Sequence, residues 1–178
     1  MFRLLKILLV MAGSVLTLLP LHSQPKSVGA VFTFSNIGVV YEHTLPSSTS
    51  FVEVSLRGET AELHAGRKEF PGISASLTWN IVFKEWLSSD GNIVRLFAGP
   101  GVMAGYTADF KEVYGFAFGL KGRIGGECCF SRNALISLSL SPVIGSHIVS
   151  LPDHNSMKYY KNGLIYCIIP EIGIKYRF

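Results

Sequence analysis

From about residue 27 to its end the chain alternates. In segment after segment, large apolar side chains fall on one parity and small, polar or charged ones on the other, and no long stretch keeps a period of 3.6 residues. A period of two marks a strand that separates two unlike environments. Eight such segments are bounded by clusters of Pro, Ser, Asn, Asp and Gly, at about 27 to 34, 37 to 45, 51 to 60, 73 to 86, 93 to 105, 116 to 130, 134 to 145 and 164 to 178. An even number of antiparallel strands is what a sheet needs to close on itself. The pattern therefore predicts an all-β fold over residues 24–178, an eight-stranded antiparallel up-and-down barrel.

The two parities say which side faces out. The fourth segment sets Ile73, Ala75, Leu77, Trp79, Ile81 and Phe83 against Ser74, Ser76, Thr78, Asn80, Val82 and Lys84. The sixth sets Phe116, Phe118, Leu120, Ile124 and Phe130 against Ala117, Gly119, Lys121, Arg123 and Glu127. The seventh sets Ile136, Leu138 and Leu140 against Ser137, Ser139 and Ser141. Eight strands enclose a bore just wide enough for side chains to fill. A ring of Phe, Trp, Leu and Ile from every strand would overfill it, so the large face is expected outside, toward lipid, around a filled polar lumen. A soluble secreted barrel holding an apolar ligand needs the faces reversed and is the less favoured alternative.

Segment length and connections agree with a transmembrane reading. A tilted spanning strand needs about 9–11 residues, and most segments reach that. The connections "PSSTS", "SSDGN" and "SRN" are short turn sequences, whereas those near 61 to 72, 106 to 115 and 146 to 163 are longer. Only the connection around Ser35 and Asn36 is short on the long-loop side. Aromatics collect near both rims: Phe51, Trp86, Phe130, Tyr176 and Phe178 at one, and Tyr106, Phe116, Tyr159, Tyr160 and Tyr166 at the other, as two interfacial girdles would require.

The first residues, "MFRLLKILLVMAGSVLTLLPLHSQP", run from two cations through an apolar core to a proline and small residues, the layout of a signal peptide cleaved after residue 23. Losing Arg3 and Lys6 leaves 14 basic residues against 12 acidic, a net charge of only +2, which disfavours a nucleic-acid partner. Three cysteines, two of them the adjacent Cys128 and Cys129, make a disulfide framework improbable.

The signal peptide, the eight alternating segments, the short turns at one rim and the terminal "IKYRF" together resemble the small outer-membrane β-barrel proteins of the OmpA and OmpX type. The resemblance covers nearly the whole mature chain and rests on pattern. It implies insertion in the outer membrane of a Gram-negative bacterium, short turns and both termini on the periplasmic side, contact with membrane lipid and lipopolysaccharide, and a monomer. It also implies that Tyr176 and Phe178, closing the last strand, carry the signal read by the barrel-assembly machinery. The short first hairpin departs from the usual long first loop.

The inward parity holds the charges. Glu42, Glu53, Lys84, Arg95, Glu127 and Lys175 are expected in the lower lumen, with Arg57, Arg123 and Glu171 above them and Lys121 on the same face; buried charges should pair, Glu53 with Lys84 and Arg95 with Glu127. This reads as a structural plug. His154 and Ser156 have the His-x-Ser spacing of barrel enzymes that deacylate lipid A, which makes a lipid-modifying enzyme the alternative function, but they fall in a polar loop and a solvated loop is favoured. The histidines His43, His64, His147 and His154 lack a ligand spacing, and no metal or cofactor is expected. Cys129 and Cys167 share the inward parity but sit near opposite rims. Tyr159 and Tyr160, flanked by Lys158 and Lys161, are candidate surface contacts, with a place in the upper girdle favoured. The function expected from all this is a structural or adhesive surface protein with no large pore and no catalysis.

Overall fold

The computed structural model describes residues 25–46, 49–60, 72–88, 91–109, 113–131, 133–150, 155–165 and 167–178. The predicted signal peptide, His64, Asp153, His154 and Tyr166 lie outside them.

The strands follow the alternation. They are β1 (Lys26–Phe32), β2 (Asn36–Thr44), β3 (Ser50–Glu59), β4 (Ile73–Leu87), β5 (Ile93–Asp109), β6 (Val113–Cys129), β7 (Ala134–Leu140), β8 (Val143–Ser150), β9 (Asn155–Tyr159) and β10 (Glu171–Arg177). One helical turn, α1 (Asn162–Ile165), stands between β9 and β10. All pairings are antiparallel, and β1 pairs β10, so the sheet has no free lower edge. The seam is tied by Lys26 N–H to Phe178 O at 3.2 Å and Phe178 N–H to Lys26 O at 2.8 Å. Following the register from Leu96 through Gly126, Leu138, Ile172, Phe32, Ile37, Gly58 and Ile73 returns to β5 at Tyr106. That stagger, from residue 96 to residue 106, tilts the strands and sets the bore.

The ten strands among the described residues make eight staves. β6 pairs β7 along its lower half, Ile124 to Cys129, and β8 along its upper half, Phe116 to Lys121. β7 and β8 are thus one stave, broken at Ser141–Pro142, where proline has no N–H to donate but its carbonyl still accepts from Gly122 at 2.9 Å. The eighth stave is broken more deeply. A strand was predicted over 164 to 178, but β10 starts only at Glu171, and the apolar "LI" and "CIIP" before it form the end of α1 and turns. The reason is the short β1–β2 hairpin, turned by Thr33 N–H on Asn36 O at 2.8 Å. Above Phe32, which pairs Ile172, there is no first strand for the eighth stave to pair with. β9 therefore bonds β8 alone.

Other limits moved outward. The connections predicted over 106 to 115 and 146 to 163 largely fold as the ends of β5 and β6 and as the β8–β9 hairpin. Gly91, in the turn between β4 and β5, takes φ +78°, a conformation that suits the Asp-Gly of "SSDGN". The two surfaces are as unlike as the parities implied. Leu120, Ile144, Phe83 and Trp79 are exposed on the outside, whereas Glu42, Glu53, Glu127, Lys121, Arg123 and Lys175 are buried within.

Candidate functional site

The interior is a stack of polar and aromatic layers. β2 and β3 are in register so that Glu42 lies directly opposite Glu53, a pairing of like charges that is unfavourable by itself. Lys175, from β10, resolves it: its Nζ donates to Glu42 Oε2 at 2.7 Å and Glu127 Oε2 at 2.9 Å, and lies 3.4 Å from Glu53 Oε2. Gly29 beside it on β1 must lack a side chain, since a Cβ would come within 2.7 Å of the Lys175 Cα. Arg95 bridges the other carboxylates, donating from Nε to Glu127 Oε1 at 2.9 Å and from Nη2 to Glu42. Its guanidinium lies 4.6 Å from the Phe51 ring centre.

The next layer is Arg123, bonded to Glu53 and to Ser139 Oγ at 3.2 Å, with Phe97 under its guanidinium. Phe51 and Phe97 meet edge to face, their centroids 5.2 Å apart. Above them Arg57 Nη1 pairs Glu171 Oε2 at 2.5 Å. Arg57 Nε donates to Ser55 Oγ at 3.3 Å, Ser55 and Ser76 share a hydrogen bond of 2.8 Å, and Lys121 Nζ donates to Ser76 Oγ at 3.0 Å. This row borders a small cavity among Asn36, Arg57, Ser76, Lys121, Ser141 and Met103.

Tyr160 closes the upper bore. It continues β9 by its N–H to Gly145 O at 3.0 Å, then turns fully inward to pack on Met103, Ala117 and Val143. Its ring stacks on His147 at 6.0 Å, and Thr107 Oγ1 lies 3.4 Å from its hydroxyl. Asn162 then ties α1 to the opposite wall, its N–H to Asp109 Oδ1 at 3.0 Å and its side chain to Ala108 O at 2.9 Å. Gly163 lies so close that a Cβ would stand 2.8 Å from the Tyr160 ring.

Of the residues singled out in the sequence, Glu42, Glu53, Arg57, Arg95, Lys121, Arg123, Glu127, Glu171 and Lys175 line this interior, and Arg95 meets Glu127. Lys84 does not. The register slips between Val82 and Lys84, so Phe83 is an extra residue and the parity below it flips. Lys84 is exposed, 5.7 Å from the Trp86 ring centre, and Glu53 takes Arg123 and Lys175 in its place. Lys84→Ala is expected to change unfolding stability by no more than about 0.5 kcal/mol, which denaturant titration checks.

Three aromatic or sulfur assignments also change. Phe51, expected in a girdle, is buried in the bore because it shares the parity of Glu53 and Ser55. Tyr160 is neither a girdle residue nor a surface contact, whereas Tyr159 and Tyr176 are exposed on the outer parity, as is Phe178 at the seam. Cys167, expected to face inward, is exposed because it lies in a turn rather than a strand, and Cys129 is buried. Ser156 lies in β9 opposite Val149. Among the described residues no cluster of His, Cys, Asp and Glu could hold a metal ion. Phe97, His147 and Tyr160 were missed as interior residues. Parity carried the signal for Phe97 and for His147, and for Tyr160 too once β9 is recognised as a strand with Met157 and Tyr159 outward. The chain has no match among protein-family models, curated proteins or solved structures.

Proposed function

We propose that this chain is a small outer-membrane β-barrel protein of a Gram-negative bacterium, of the OmpA and OmpX type, with a structural, adhesive or surface-interaction role and neither catalysis nor a large pore. The observation that carries this reading is the inverted partition of the barrel: buried, cross-linked charges inside and an exposed wall of Leu, Ile, Phe and Trp outside. An apolar surface of that extent costs about 25 cal/mol per Å² in water, and hydrocarbon removes the cost. In the lower barrel the strands satisfy their backbone groups through closure, as a bilayer demands.

In this reading the outer band meets lipid and lipopolysaccharide, and Tyr176 and Phe178 at the end of β10 present the signal to the barrel-assembly machinery. The β3–β4, β5–β6 and β8–β9 connections face the cell exterior and carry whatever contact the protein makes there. Layers of salt bridge, phenylalanine and tyrosine across the bore support a closed lumen. The test is electrophoretic. Unheated protein in detergent should migrate compactly and shift on boiling, and in planar bilayers it should show no large steady conductance. Full solubility without detergent overturns the membrane assignment, and porin-sized steps overturn the closed bore.

A further inference from the structure

The carboxylates of the bore are already engaged: Lys175 and Arg95 hold Glu42 and Glu127, Arg123 holds Glu53, and the partly exposed Arg57 holds Glu171. Asp109 and Glu59, nearer the rim, accept from the N–H groups of Asn162 and Ala108. Lys121, 3 % exposed, has no carboxylate within salt-bridge distance among the described residues, and its one hydrogen bond there is to Ser76 Oγ. An uncompensated ammonium in such a place is costly.

Beside it lies the cavity, about 20 Å³ and bordered by no carboxylate. That is room for roughly one water-sized body. Its polar lining is Asn36 together with donors: the Lys121 ammonium, the Arg57 guanidinium, whose Nη2 has no partner among the described residues, and serine hydroxyls. Ser141 Oγ, in a residue only 4 % exposed, has no partner among the described residues either. We infer that this cavity is a binding site for one small monovalent anion, chloride in ordinary media, held between Lys121 and Arg57 with Ser141 donating to it. One negative charge answers the Lys121 ammonium and satisfies the orphaned donors together. Phosphate and sulfate are too large for the space, and two flanking cations exclude a metal ion. The inference rests on the closed bore and not on membrane insertion.

The experiment is bromide substitution in crystals of the folded full barrel, paired with its thermal unfolding in chloride and in gluconate at equal ionic strength. An anomalous peak is expected between Lys121 and Arg57, and the unfolding midpoint should rise by several degrees, saturably, with chloride. Lys121→Met should abolish the chloride response, and Ser141→Ala should demand about fivefold more chloride for half the effect. Absence of a bromide peak at the cavity overturns the site, as does an undiminished chloride response in Lys121→Met. If Lys121→Met does not fold, the bromide map of the unaltered protein and the Ser141→Ala titration decide.

Discussion

Replacing Lys175 by methionine is expected to destabilise the barrel by about 3–5 kcal/mol, the range for breaking a buried ion pair from one side. The reason is the arrangement it would leave. Lys175 Nζ lies within 2.7, 2.9 and 3.4 Å of carboxylate oxygens of Glu42, Glu127 and Glu53. Those acids come from β2, β6 and β3, so one ammonium on the last strand holds together strands from around the circumference. Without it Glu42 and Glu53 face each other in register, with only Arg95 and Arg123 to offset them. A loss of that size is a large part of a typical net stability of about 5–15 kcal/mol. The check is urea unfolding of the purified barrel. Adding Glu53→Gln to Lys175→Met should recover part of the loss, because one of the uncompensated charges is gone. A Lys175→Met protein within about 1 kcal/mol of the unaltered one would mean that the network is not what braces the wall.

The second large effect is expected from Tyr160→Ala. A fully buried aromatic ring in a packed cluster loses about 3–5 kcal/mol on truncation, from transfer and cavity terms together. Tyr160→Phe, which keeps the ring and removes only the hydroxyl beside Thr107, should cost about 1 kcal/mol. The pair separates packing from polarity. Truncation also empties the upper bore but leaves the salt-bridge layers intact, so single-channel recordings of Tyr160→Ala should stay closed. Open, ion-conducting events in that variant would place the seal at Tyr160 rather than in the charged layers below.

Alternation made most of the barrel legible without coordinates. A period of two assigns each residue of a regular strand to a face, and Phe51, Glu53, Ser55 and Arg57 fall inside together on that rule alone. Reading Phe51 as a girdle residue set aside that rule in favour of its place near a segment end. Lys84 failed for the opposite reason: the rule was applied across a bulge, and one extra residue reverses every assignment after it. Pairing among the charges was only half readable. Arg95 and Glu127 are cross-strand neighbours on adjacent segments. Lys175 reaches Glu53 across strands that are not adjacent, a matter of bore width and stagger.

What the sequence determined by itself is local and periodic: most of the strands, the eight staves they make, the face each side chain takes where a strand is regular, and the closure that an even count allows. What only the tertiary structure decided is where those local rules stop. The short β1–β2 hairpin leaves the upper eighth stave without a first-strand partner, so "LI" and "CIIP" do not continue as the strand their apolar run predicted. Backbone donors and acceptors that find no neighbouring strand must be met another way, and here α1 and its turns meet some of them while Tyr160 turns into the bore. The same holds for the charges. Parity put Lys121 inside, but only the packed interior shows that it is a buried cation left, among the described residues, without a carboxylate.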